Sequence, residues 1–260
     1  MHSQQREEII LNLIRNRGFA SFRELEEKIA TSPATLRRDL DRLDTTGQIR
    51  RVRGGARAIE ETPGAGRTAL LGGVPFVENL GRNAVQKARI GAAAASLCQP
   101  GDAIIIDGGT TTLQMCRHLD ELGLQVFTNS LHIVRALLDQ PNTRVSVPAG
   151  SIFREQNIIL SPYPDDGSAH FRATRMFLGA AGVGRHGVLQ SDTLLLQAER
   201  RLFEQADELI LMVDSSKFEA TSGSLLCRLG EIDRVITDSG VSTTNLSMLE
   251  QAGVEVTVAA

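Results

Sequence analysis

Three short stretches place glycine, hydroxyl, carboxylate and ammonium groups directly after apolar runs. The first is Asp107-Gly108-Gly109-Thr110-Thr111-Thr112. Paired glycines let a backbone approach an anion closely. Hydroxyls and the free amides of a helix start can cradle a phosphate, helped by the helix dipole. A glycine pair at a strand-to-helix turn also occurs for purely structural reasons. The second stretch is Thr128-Asn129-Ser130, where Asn129 either meets a ligand or caps the helix that follows. The third is Asp214-Ser215-Ser216-Lys217-Phe218. Lys217 is a mobile cation suited to a phosphate, although alone it would read as a surface lysine.

The surrounding pattern predicts what positions these groups. Apolar runs at Ala103–Ile106, Gln125–Thr128, Arg144–Val147, Met176–Leu178, Leu209–Val213, Val235–Thr237 and Glu255–Val258 read as strands. Helical periodicity at Thr112–Leu122, Leu131–Leu138, Leu194–Ala206 and Asn245–Ala252 separates most of them. Such alternation predicts a mostly parallel sheet covered on both faces. Ligands of such sheets bind beyond the carboxyl ends of the strands, where the polar stretches fall.

The N-terminal segment predicts different chemistry. Ile9, Ile10, Leu13 and Ile14 share one face of a helix over residues 4–17. Ser21 with Glu24 has capping-box spacing for a second helix. Ser32-Pro33 starts a third, running to Leu43, with Leu36, Leu40 and Leu43 facing inward. Thr35, Arg38 and Arg42 occupy another face, where arginines can bond guanine edges or phosphates. The plain alternative is a solvated face with Arg37–Asp41 as an ion pair. Gln48-Ile49-Arg50-Arg51-Val52-Arg53-Gly54-Gly55 then reads as two strands around a basic turn, which makes a winged arrangement.

Ser32, Thr35-Leu36-Arg37-Arg38-Asp39-Leu40, Gly47, Ile49, Arg51-Val52 and Gly54-Gly55-Ala56 at these spacings resemble the DNA-binding signature of the DeoR family of bacterial transcriptional regulators. Leu36 stands where the family often has Ile or Val. The resemblance implies operator binding through Ser32, Thr35, Arg37, Arg38 and Arg42, with Arg51 and Arg53 of the wing on the backbone.

The three polar stretches occur in the same order in that family's effector domain. The resemblance therefore implies a Rossmann-like parallel-sheet domain similar to ribose-5-phosphate isomerase and coenzyme A transferases, and a phosphorylated effector. By position, Gly108, Gly109, Thr110 and Thr111 would hold the phosphate beside Asp107, with Lys217 as countercharge. Thr128, Asn129 and Asp214 would bind hydroxyls, and Gly150 would join the site. Many members have Leu-Gly-Gly at Pro148-Ala149-Gly150 and Glu-Glu-Ala at Leu194-Leu195-Leu196, which implies a lost effector-facing carboxylate. The stretches 158–164, 196–199 and 214–219 look most like the L-ascorbate utilisation repressor subgroup. L-ascorbate 6-phosphate, another phosphorylated sugar acid and an aldose phosphate are the effector classes this leaves open.

Composition narrows the rest. The chain has 260 residues, 42% hydrophobic and 23% charged, room for one large or two modest domains. Residues 1–57 carry twelve Arg/Lys against eight Asp/Glu, whereas 58–260 carry sixteen against twenty-three. A basic head on an acidic body predicts that only the head meets a polyanion. The expected domains are a winged helix-turn-helix at 1–57, a Pro/Gly-rich linker at 58–80 and an effector domain at 81–260. The expected fold class is thus α/β with a winged helix-turn-helix head. No apolar run is membrane-length, and the polar start does not resemble a signal peptide. Three scattered cysteines and five scattered histidines suggest a reducing cytoplasm, no metal and no cofactor. The expected function is a non-enzymatic repressor of a carbohydrate-utilisation operon. Its partners would be double-stranded operator DNA, a phosphorylated effector and further copies of itself, as dimer or tetramer. The competing class is a sugar-phosphate isomerase with a DNA-binding head, using Asp107, Asp192 or Asp214 as base.

Overall fold

The computed structural model describes residues 6–7, 9–11, 13–14, 19–29, 31–45, 49–52, 55–58, 76–154, 156–163, 165–219 and 223–259. Arg53 and most of the expected linker, 59–75, lie outside them. The chain divides into two compact units, Met1–Ala69 and Leu70–Ala260.

In the first unit, residues 6, 7, 9–11, 13 and 14 are helical, and Ile10 and Ile14 are buried one turn apart. Strand β1 (Phe19–Ser21) leads into the helix Phe22–Lys28. Its start is a capping box: Ser21 Oγ accepts the Glu24 amide at 3.2 Å, and Glu24 Oε2 accepts the Ser21 amide at 2.8 Å. The helix Pro33–Thr45 begins where Ser32 Oγ accepts the Thr35 amide at 3.2 Å. Leu36, Leu40 and Leu43 are no more than 1% exposed and pack with Ile10, Ile14, Leu25, Ile29 and Ile49. β2 (Ile49–Val52) and β3 (Gly55–Ala58) form the antiparallel wing, and β1 pairs with the other edge of β3. Gly55 permits that crowding, because a Cβ there would lie 2.3 Å from the Ala20 carbonyl oxygen.

The second unit opens with helices Phe76–Leu80 and Ala84–Ala95. Its strands follow as β4 (Ala103–Ile106), β5 (Gln125–Phe127), β6 (Arg144–Ser146), β7 (Ser151–Phe153) and β8 (Ile158–Leu160). Then come β9 (Ala173–Leu178), β10 (Gly182–Gly184), β11 (Gly187–Gln190) and β12 (Ala206–Met212). β13 (Ser224–Cys227), β14 (Arg234–Asp238) and β15 (Glu255–Ala259) complete the set. Seven strands make one sheet in the order β15-β14-β12-β9-β4-β5-β6. Each of its pairs is parallel. From β4 the chain builds outward to β6, then returns to β9 and builds the other way. The order therefore reverses between β4 and β9, and a crevice opens at such a switch point beyond the strand ends.

Period-two alternation feeds a separate core on each face. Ile104, Ile106, Ile210 and Met212 pack with Ile90 and Ala94 of the helix Ala84–Ala95. Ile105, Leu209, Leu211 and Val213 pack with Leu202 and Leu249 of the helices Thr193–Phe203 and Thr243–Gln251. Every strand expected of the main sheet is present: β4 has the expected bounds, β9, β12, β14 and β15 reach beyond them at one end or both, β5 and β6 end a residue short, and β12 also ends at Met212 rather than Val213. The helix expected at Thr112–Leu122 is instead two 3₁₀ segments, Thr112–His118 and Asp120–Leu122. Thr112 explains the tight start: its hydroxyl donates to the Asp107 carbonyl at 2.7 Å and accepts the Gly109 amide at 2.9 Å. That folds the first turn back onto the end of β4.

Among the described residues no helix is long and apolar enough to cross a membrane. All three cysteines are buried and free.

Candidate functional site

The helix Pro33–Thr45 carries most of the residues expected at DNA. Arg37 and Arg38 are exposed, and the Arg37 guanidinium lies 5.3 Å from the centroid of the Phe22 ring. Thr35 is half-buried, with its hydroxyl 2.9 Å from Ser32 Oγ. Arg42 pairs with Asp39 at 3.2 Å and also with Glu7, while Arg6 bonds Asp39 at 2.8 Å. The Arg37–Asp41 pair considered from spacing is replaced: Asp41 pairs with Arg51 of the wing. The Arg51 amide donates to Asp44 at 3.0 Å. Arg42 and Arg51 thus tie the recognition helix to its neighbours, and Arg37 and Arg38 present the freest charge.

In the second unit a cavity of about 320 Å³ sits at the switch point. Asp107, Gly108, Gly109, Thr110 and Thr111 enter it from the end of β4, and Gly179 from the end of β9. Asp214, Ser216 and Lys217 enter from the end of β12. The glycines are needed for packing as well as approach. A Cβ on Gly108 would come 2.9 Å from Ile158 Cγ2 and 3.1 Å from Asn129 Oδ1. Lys217 is half-buried and has no ion-pair partner among the described residues.

The remaining expected residues lie elsewhere. Thr128 is fully buried, and its hydroxyl accepts the Ser130 amide at 3.1 Å, which shapes the turn. Asn129 is buried behind Gly108, and its Oδ1 has no partner among the described residues. Gly150 is exposed and outside the cavity lining. A Cβ there would meet the Leu160 carbonyl oxygen at 2.4 Å, so this glycine serves the close β7–β8 pairing. Two further arginines of this unit, Arg172 and Arg175, are also outside the cavity lining. Arg172 pairs with Asp207 at 3.0 Å, and Arg175 with Asp102 at 2.9 Å and Glu208 at 3.0 Å. Asp192 caps the helix Thr193–Phe203 by accepting the Leu194 amide at 2.7 Å.

Several cavity groups escaped the sequence reading. Asn79 Nδ2 donates to Thr110 Oγ1 at 3.3 Å. Asn83, in a left-handed conformation at φ 51°, donates to Asp214 Oδ1 at 2.8 Å and Ser216 Oγ at 3.2 Å. Lys87, 1% exposed, holds this segment by donating to the Asn79 carbonyl at 2.6 Å. Burial lowers the Lys87 pKa, the Asp214 charge opposes that, and Lys217 and Arg82 add to it. Glu199 also lines the cavity, 2% exposed, so a carboxylate does face it one turn beyond Leu195. Its Oε1 accepts from Gln190 Nε2 at 2.6 Å, while Oε2 is buried without a partner among the described residues. Burial drives the Glu199 pKa well above the ordinary range, Asp107 raises it further, and Gln190 opposes. The missed signal was positional: Leu195, Glu199 and Leu202 stand at i, i+4, i+7, so a carboxylate occupies the inward stripe.

Asp107 is pushed from 3.8 up to about 6, chiefly by burial, with the Gly108 and Gly179 amides pulling it back. The folded unit therefore keeps a proton that the unfolded chain releases between about pH 4 and 6. That stability is complete below pH 4 and is lost as pH rises through about 6. Ionised Asp107 then costs about 3 kcal/mol. Asp107→Asn recovers part of this, about 1–2 kcal/mol, because one amide contact is weakened. Differential scanning calorimetry should show the second unit melting several degrees higher in the variant at pH 8, and unchanged at pH 4. Equal melting at both pH values would show that Asp107 is hydrated and ordinary.

No group of three or more His, Cys, Asp or Glu among the described residues could hold a metal ion. In comparisons, residues 6–62 match the DeoR-like helix-turn-helix domain and 82–239 the DeoR C terminal sensor domain. The HTH-type transcriptional regulator UlaR of Escherichia coli (strain K12 / DH10B) is 31% identical over 256 residues, 98% of this chain and 99% of its own. UlaR of Shigella boydii serotype 18 matches to the same extent. Among solved structures, ribose 5-phosphate isomerase A from Methanocaldococcus jannaschii is 17% identical over 54% of each chain, with a TM-score of 0.38. eIF2B delta from Chaetomium thermophilum is 12% identical over 90% of this chain and 70% of its own, with a TM-score of 0.42.

Proposed function

The chain belongs to the DeoR family of transcriptional regulators, and from that premise we propose that it represses a carbohydrate-utilisation operon until a phosphorylated sugar or sugar acid fills the cavity at the switch point. One observation carries the effector reading. A Gly-Gly-Thr-Thr strand end and an ammonium without an ion-pair partner among the described residues line the same cavity. Backbone amides, hydroxyls and a cation are what a phosphate dianion requires. L-ascorbate 6-phosphate and the aldose phosphates are the first effectors to try. The protein would act in the cytoplasm, as a dimer or tetramer, since readers of this type usually bind paired half-sites.

Release would follow from linkage. Residues 76–83 form one wall of the cavity and precede, in sequence, the rest of the sensor unit. Asn79 and Asn83 already bond Thr110 and Asp214, groups that an effector would claim. An occupant must displace or tighten those bonds. It thereby favours one arrangement of the segment through which the chain reaches its DNA-binding head. Turning a mostly bound population into a mostly free one needs a differential affinity of roughly 10⁴. Rearrangement between subunits would supply what a single phosphate contact does not.

The test is an operator gel shift titrated with phosphorylated sugars and sugar acids. At least one should release the DNA. Arg38→Ala should weaken operator binding by about 1–3 kcal/mol, with a smaller loss on random DNA, if that arginine reads a base. A purified protein that ignores promoter fragments would overturn the proposal. We read the protein as a non-enzyme, but one observation favours an isomerase: Asp107 and Glu199 form a buried carboxyl pair with raised pKa values. Steady turnover of an aldose phosphate, abolished by Asp107→Asn, would establish that reading instead.

A further inference from the structure

We infer that the wall built from Asp107, Glu199 and Gln190 selects neutral hydroxyl groups on the effector and excludes a second carboxylate, so the ligand is a phosphorylated aldose, ketose or polyol rather than a phosphorylated sugar acid. This rests on the phosphorylated-carbohydrate reading above and narrows it.

Glu199 holds an unfilled hydrogen-bond valence. It lines the cavity at 2% exposure, its Oε1 accepts from Gln190, and its Oε2 is buried without a partner among the described residues. A buried polar oxygen without a partner is costly, and a ligand that supplies the missing bond gains that cost back. A hydroxyl does so in either protonation state: it donates to a carboxylate and accepts from a carboxylic acid. A ligand carboxylate does so only while Glu199 keeps its proton.

Charge acts in the same direction. Among the described residues three carboxyl groups line the cavity: Asp107, Glu199 and Asp214. The cations on its lining among the described residues are Arg82 and Lys217, and Arg82 pairs with Glu78. Lys87 is close to Asp214, but its ammonium is committed to the Asn79 carbonyl. One phosphate therefore exhausts the positive charge that Lys217 offers, since the Gly108, Gly109 and Gly179 amides already bond Asp107 or Thr112. A second anion would enter the poorly hydrated space that already favours the neutral forms of Asp107 and Glu199, so an ionised ligand carboxylate is disfavoured there for the same reason. Burial already strains the Asp107–Glu199 pair, because each carboxyl is pushed toward its neutral form.

Matched pairs differing only at the end opposite the phosphate give the test. They are erythritol 4-phosphate with 4-phosphoerythronate, ribitol 5-phosphate with 5-phosphoribonate, and sorbitol 6-phosphate with 6-phosphogluconate. Each is titrated into the full-length protein by calorimetry at pH 7.5. In the pair of the preferred length, the polyol should bind at least about tenfold tighter. Glu199→Gln should weaken the polyol and strengthen the acid, closing the gap to about threefold or less. An acid binding as tightly as its polyol overturns the inference and leaves the phosphorylated-effector reading standing. So does Glu199→Gln weakening both by the same factor. Binding of no member of any pair overturns both. The wild-type comparison needs no variant, so a misfolded Glu199→Gln would not rescue the idea.

Discussion

Replacing Lys217 with glutamate (Lys217→Glu) is expected to leave operator binding intact and to raise the effector concentration needed for release by about 100-fold or more. The ammonium lines the cavity, is half-buried, and has no ion-pair partner among the described residues. In the parent its charge is therefore available to a phosphate. Two unit charges about 4 Å apart near a protein surface interact by up to about 4 kcal/mol before screening. Partial exposure discounts that figure, but reversal both removes an attraction and adds a repulsion, so about 3 kcal/mol is reasonable. Gel shifts with and without effector measure it directly. Lys217→Met separates loss of the cation from introduction of an anion, and should sit between the parent and the reversal. Unchanged effector sensitivity in both variants would place the phosphate elsewhere in the cavity.

How much of this was legible in the sequence depends on how local each cause is. β4 and β12 were readable because their residues are buried on both faces, giving near-continuous apolar runs that stop at Asp107 and Asp214. The recognition helix was readable because Ser32, Pro33 and the leucine spacing each act within one turn. The small strands β7, β10, β11 and β13 were not read. They are three or four residues long, too short to show a pattern of their own; β7 pairs with the neighbouring β8 and β10 with the neighbouring β11, while β13 joins β11 from far along the chain. The glycines of β10 and β11 further hide a strand pattern.

The cavity divides in the same way. Its floor was visible because three strand ends converge wherever a parallel sheet reverses its order. Its walls were not. Asn79, Asn83, Gln190 and Glu199 arrive on elements whose placement follows from tertiary packing. Thr128 and Gly150 show the reverse error: their residue types suit a binding loop, but one completes a turn and the other admits a neighbouring strand. The head's arginines show a third kind. Sequence spacing could not reveal that Asp39 and Asp41 would engage Arg42 and Arg51 and leave Arg38 the more available.

Leu40→Ala should separate the two activities. Leu40 is fully buried at the centre of the first unit's core, against Leu25, Ile14 and Ile49 among others. Removing a buried leucine side chain costs about 2–5 kcal/mol, depending on how far the cavity collapses. A unit of this size has little stability to spare, since small domains bury a small fraction of their surface. The head should therefore be largely unfolded at 37 °C, and operator binding should fall below detection. The sheet cores of the second unit share no residue with this one. A phosphorylated ligand that binds the parent should then bind the variant within about twofold, and calorimetry should show the sensor transition alone. Two outcomes would contradict this. Full operator affinity would mean that the recognition helix does not depend on its leucine face. Joint loss of ligand binding would mean that the units fold as one, and the linkage argument would then need a coupling through packing rather than through the connecting chain.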